Sequence, residues 1–190
     1  MRSHRIFAGV LFLAMGVGNV RAADGAPVSG FRADVLGNID YAARELVQLA
    51  DAVPADKYAW RPAPGVRSIA EVYMHVAVAD YYIPSLIGVK VPDGVSRDME
   101  TKVTEKAQVV EALKKSIAHA RAAIESTPDS ELDTMVKVRG ADMTKRGVFI
   151  LLAGHIHEHL GQSIAYARIN GITPPWSASE GAPPGKSSTN

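Results

Sequence analysis

The chain has 190 residues, 47% of them hydrophobic and 22% charged, with a formal net charge of +1 and no cysteine. That length and balance fit one compact soluble domain with room for a real interior. They exclude a disulfide-stapled scaffold and a lipidated-cysteine anchor, and the near-neutral charge without a long basic run gives no footprint for nucleic acid.

Residues 1–22 read as a secretory signal. Arg2 and Arg5 precede the apolar run IFAGVLFLAMGVGNV, and Ala22 and Ala23 supply small residues at the cleavage point. The run is short for crossing roughly 30 Å of hydrocarbon. The expectation is a periplasmic or secreted protein with no stable membrane insertion after cleavage. Arg2, Arg5 and Arg21 leave with the segment and no acidic residue does, so the remaining chain is mildly acidic.

The first helix is predicted across SGFRADVLGNIDYAARELVQLADAVP. Phe31, Val35, Ile39, Ala42, Leu46 and Leu49 recur there at three- and four-residue steps, and Pro54 stops it. A loop with Pro62, Pro64 and Gly65 follows. Ser68 and Glu71 have capping-box spacing, which starts the second helix. This helix, IAEVYMHVAVADYYIPSLIG, carries His75 on an apolar side with Val72, Val76 and Ala79, and Pro84 bends or ends it. The segment VKVPDGVSRDMETKV reads as a polar connection with turn chemistry at Pro92, Asp93 and Gly94. A third helix is expected from near Thr104, with Val109, Leu113, Ile117 and Ala120 inward, His119 on the polar side, and Pro128 and Asp129 as its stop. MVKV suggests a short extended piece. The fourth helix is predicted from Lys145 to Asn170, with Gly171 as its left-handed terminator. Residues 177–190 form a Pro-, Gly- and Ser-rich flexible tail. Four long helices and few strand signals predict an all-α, antiparallel four-helix bundle over residues 30–176.

The run HIHEHLGQ, residues 155–162, holds three of the six histidines. Positions four apart stack on one helical face, so His155 and His159 project together, with Val148, Leu151, Leu152, Gln162 and Tyr166 extending that face toward the bundle. His157 is rotated about 200° from His155 and points away. Two imidazoles at this spacing can share a divalent ion at about 2.0–2.1 Å from each nitrogen. They can equally be a polar stripe bonded to neighbouring groups. His75, on the apolar side of another helix, turns the pair into a possible facial set of three nitrogens, which leaves positions open for water or substrate. The alternative for His75 is a core histidine bonded to a backbone carbonyl.

The segments AWRPAPGVRSIAEVYMHVAVADYY and HIHEHLGQSIAYARINGITPPW resemble the two signature regions of the DinB/YfiT-like superfamily. The second has the HxxxHxGQ pattern and then Arg168, Gly171, Pro174 and Pro175. The resemblance spans roughly residues 30–176. It implies an up-down-down-up four-helix bundle, often a homodimer, with a three-histidine site for a divalent metal ion, usually nickel or zinc. Carried onto this chain, the ligands are His75, His155 and His159. Leu160 stands where relatives often have arginine, which implies an altered surface or dimer contact. Characterised relatives include thiol transferases that use low-molecular-weight thiols and maleylpyruvate isomerases.

The leading functional expectation is an exported metal-dependent hydrolase or transferase acting on an unidentified small molecule. Gln162 is a candidate for positioning a ligand histidine, and Asp80, five positions past His75, for reaching the pocket mouth or lying on the solvated helix surface. Trp60, Tyr81 and Tyr82 are candidates for lining the pocket or packing the core. The rival expectation is a non-enzymatic metal-binding or structural bundle.

Overall fold

The computed structural model describes residues 28–177. The expected signal segment lies outside the described residues, as do residues 178–190 of the expected tail. Four long helices make the body: α1 (Gly30–Ala52), α2 (Ile69–Ser85), α4 (Lys106–Ser126) and α5 (Lys145–Ile169). A single-turn helix, α3 (Met99–Lys102), precedes α4, and a hairpin of β1 (Met135–Val138) and β2 (Ala141–Thr144) leads into α5. The extended MVKV piece is β1, paired antiparallel with β2.

Side-chain contacts fix the directions of the helices. Arg146 lies over the ring of Phe31, and further along both helices Tyr41 stacks on His157, so α1 and α5 run parallel. Arg121 pairs with Asp40, while Lys106 donates to the carbonyls of Asp51 and Val53 at the other end, so α1 and α4 run antiparallel. Tyr73 lies by Ser163 and, one step back along α5, His75 meets His155, so α2 and α5 run antiparallel. It follows that α2 and α4 run parallel. Each long helix packs on two others, in the ring α1, α5, α2, α4. This is an up-down-down-up bundle, and the parallel α2–α4 pair explains the long connection over residues 86–105, which must return the chain to the end where α2 began.

The core comes from one stripe of each helix: Ile39 and Leu46, Tyr73 and Met74, Leu113 and Ile124, Phe149 and Ile156 are all almost fully enclosed. The second helix starts as its capping box dictates. Glu71 N donates to Ser68 Oγ at 3.2 Å, and Ser68 N donates to Glu71 Oε2 at 2.7 Å. Pro84 does not end α2 by itself; it sits within the last turn, and the helix closes one residue later. Thr144 caps α5 by accepting from Gly147 N at 3.0 Å, and Gly171, at φ +73°, follows its end as the left-handed residue.

Several expectations need correction. The segment after Pro92 is not merely a polar connection: Met99 and Val103, four apart, pack on the core and hold the turn α3 against α2. Leu151 does not face the interior but is 39% exposed. Leu160 is not at a surface, because it is 5% exposed within the core. His119 is not on a polar face: its ring lies 5.0 Å from that of Tyr81, and its Nε2 is buried.

Candidate metal centre

The centre is built where α2 and α5 cross, one imidazole from α2 and two from α5. The ring centroids of His75 and His155 are 5.0 Å apart, those of His75 and His159 4.8 Å, and those of His155 and His159 4.5 Å. One ring nitrogen from each lies within 4.8 Å of the other two. The Nε2 atoms of His75 and His155 are 3.2 Å apart. A tetrahedral ion with nitrogens at about 2.05 Å would hold neighbouring ligand atoms roughly 3.3 Å apart, so this spacing suits a shared cation.

The other ring nitrogens explain which lone pairs face inward. His75 Nδ1 is 2.8 Å from Glu100 Oε2. Burial pushes the Glu100 carboxyl up, but hydrogen bonds from Arg67 and His75 outweigh it and hold Glu100 below the usual carboxylate range. An ionised carboxylate only accepts, so His75 Nδ1 carries a proton, and in the neutral ring its Nε2 presents a lone pair. His159 Nδ1 donates to Gln162 Oε1 at 2.7 Å, and Gln162 Nε2 donates to the Tyr166 hydroxyl at 3.1 Å. The same logic leaves the His159 Nε2 lone pair free. His155 has no such outer partner: its Nδ1 is buried without a hydrogen bond, and its Nε2 faces another ring nitrogen. A cation between the facing nitrogens would bind both lone pairs, where without it one ring nitrogen meets only another.

Burial, together with the neighbouring His159, His75 and Arg67, lowers His155 to about 4. Burial also lowers His159, against the Gln162 hydrogen bond that raises it. Both rings are therefore neutral at ordinary pH, the state a metal ligand needs.

The structure brings His75, His155, His159 and Gln162 together, and it leaves His157 and Asp80 elsewhere. His157 stacks on Tyr41 and lies 3.3 Å from the Asn38 carbonyl, on the far side of α5. Asp80 neither reaches the pocket mouth nor lies in solvent. Five residues are about 500° of helix, so Asp80 sits about 140° around α2 from His75. It is wholly buried against α4, where it meets Ser116 Oγ at 3.1 Å. Tyr81 is buried beside His119, whereas Tyr82 faces the cavity. Trp60 packs edge-on against Tyr166.

Glu100 is the residue that sequence reasoning missed. It lies in a stretch that reads as polar loop, and only the Met99 and Val103 pair hints that the segment docks. Beside it a cavity of about 470 Å³ opens onto His75 and His155, walled by Val78, Ile83, Leu86 and Leu151. Its size falls in the range of pockets that hold small organic ligands, about 300–1,000 Å³.

A sequence profile of the DinB superfamily matches residues 38–163. The chain belongs to the DinB superfamily. The three converging imidazoles all fall within the matched stretch of this DinB-superfamily chain. A crystal structure of a DinB-like protein from Bacillus cereus ATCC 10987 is similar to it at 21% identity, covering 82% of this chain and 97% of that one with a TM-score of 0.66. A DinB-like protein from Bacillus subtilis is similar at 20% identity, covering 74% and 93% with a TM-score of 0.59. At such identities the likeness establishes the shared DinB-type bundle. No curated protein sequence matches the chain.

Proposed function

We propose that this DinB-superfamily protein holds one divalent metal ion on His75, His155 and His159 and uses it on a small molecule bound in the adjoining cavity, as a hydrolase or a transferase. The observation that carries this reading is the set of three ring nitrogens within 4.8 Å of one another, two of them oriented by Glu100 and Gln162. Three imidazole nitrogens and no cysteine suit zinc or nickel. When bound, such an ion supplies Lewis acidity. The protein's own part is to fix the imidazole tautomers, to exclude bulk water with the apolar walls, and to keep the ligand set incomplete. Among the described residues no fourth side chain completes the group, which favours an open site over a closed structural one.

The signal-like N-terminus supports export, so the proposed setting is periplasmic or secreted. There a low-molecular-weight thiol of the cytoplasm is a poor co-substrate, which favours hydrolysis within this reading.

The test is metal analysis of protein purified without an immobilised-metal column. About one equivalent per chain is expected, lost in His75→Ala, His155→Ala and His159→Ala and retained in His157→Ala. Equal loss in all four variants, or no metal in the parent protein after supplementation with zinc and with nickel, rejects the assignment.

A further inference from the structure

We propose that the cavity beside the histidines selects small organic acids, and that Arg97 and Arg139 bind the acid group. Both arginines line the cavity, together with apolar side chains and the two imidazoles. Among the described residues neither guanidinium has a carboxylate partner. The one acidic residue lining the cavity, Glu100, is already engaged by Arg67 and His75. A guanidinium presents its donors in a planar fork that matches a carboxylate, so two unpaired arginines at the edge of an apolar pocket fit an anionic head on an apolar body.

A separate local feature marks each arginine. Arg97 stacks over Tyr82 at 4.1 Å from the ring centroid, and Tyr82 is itself part of the cavity wall. Arg139 is more telling. Val138 pairs with Ala141, so Arg139 and Gly140 form a two-residue hairpin turn with φ of +50° and +88°. Turns of this kind favour Asn, Asp or Gly at the first position, because other side chains crowd the backbone there. Arginine is the only non-glycine residue at positive φ among the described residues. A non-glycine side chain kept at this position while lining the cavity fits the proposed ligand contact.

The inference rests on the proposed metal site for which end of the ligand would react, and not for the affinity of the acid group. Its test therefore uses metal-free protein. Calorimetry on the full chain, stripped with a chelator, compares 4-phenylbutyrate with 4-phenylbutyramide, which has the same body without the charge. The acid is expected to bind about tenfold more tightly, as charge-assisted hydrogen bonds allow. Arg97→Gln and Arg139→Gln should each shrink that preference, and the double variant should abolish it while leaving amide binding unchanged. Metal content of the arginine variants should equal that of the parent. Equal affinity for acid and amide, a preference that survives in the double variant, or no binding of either probe overturns the proposal. The two readings fail separately: an acid preference in a chain that takes up no metal sinks only the metal site, and loaded metal without an acid preference sinks only the arginine assignment.

Discussion

His75 and Glu100 are joined by a 2.8 Å hydrogen bond between Nδ1 and Oε2, although one belongs to a long helix and the other to a single turn in the connection that follows it. Arg67 holds the same carboxylate from its other oxygen at 2.6 Å. The pair links a loop before α2, the helix itself and the segment after it into one support for a single imidazole.

Removing that support is expected to weaken metal binding without unfolding the bundle. Outer partners of ligand histidines contribute roughly 10- to 100-fold in metal affinity. Glu100→Ala should fall in that range in a competition titration against a chromophoric chelator. Glu100→Gln should lose less, because an amide oxygen can still accept from Nδ1. Affinity unchanged in Glu100→Ala would mean that the His75 tautomer is set by something else.

The capping box at Ser68 gives a test that separates stability from the site. Ser68→Ala removes the acceptor for Glu71 N and should cost about 1 kcal/mol, the usual loss at a helix start. A urea melt should show a lower midpoint with an unchanged slope. His75 lies two turns into the helix, so metal stoichiometry should hold. A cost near zero would show that the Glu71 carboxylate alone secures the helix start.

How much of this could be read from the residues depended on range. The periodic stripes, the Ser68–Glu71 box and Gly171 are local signals, and they place the four long helices to within a few residues. The pairing of His155 with His159, and the opposite heading of His157, follow from helical rotation alone. His75 is a candidate from its place on the apolar side of α2, but its convergence with the pair depends on the packing of α2 on α5. Glu100 was hidden because its role depends on docking of a one-turn helix, for which the sequence offers one apolar pair. Asp80 was misplaced because spacing from His75 was weighed without its rotation around the helix. The comparison with relatives points Leu160 to a surface or dimer contact, whereas its own position on α5 turns it into the core.

Arg139 is expected to cost stability in return for its place at the cavity. Glycine at φ +50° avoids the crowding that arginine meets, so Arg139→Gly should stabilise the chain by about 1 kcal/mol. The gain should appear as a higher melting temperature in the same protein whose preference for the acid probe shrinks. A variant that is less stable would mean that the arginine side chain supports the hairpin.

Asp80 should make stability depend on pH in a direction opposite to that of most carboxylates. Ser116 has one hydroxyl proton and two acceptors in reach, Asp80 Oδ2 at 3.1 Å and the Leu113 carbonyl at 2.9 Å. A protonated Asp80 resolves the conflict by donating to Ser116 Oγ, which frees the serine proton for Leu113. Burial favours the same state, pushing Asp80 up to about 8 from an ordinary value of 3.8, while the Ser116 hydrogen bond pulls it down. The folded chain thus keeps a proton that the unfolded chain releases. Its contribution is fully present below the unfolded value near pH 4 and is lost as pH rises toward 8, with a slope approaching about 1.4 kcal/mol per pH unit inside that window. Asp80→Asn cannot ionise, so the stability of this variant relative to the parent should grow steadily between pH 4 and pH 8 in chemical melts on metal-free protein. A difference that stays flat across that range would mean that Asp80 is ionised in the folded bundle or keeps its ordinary acidity there.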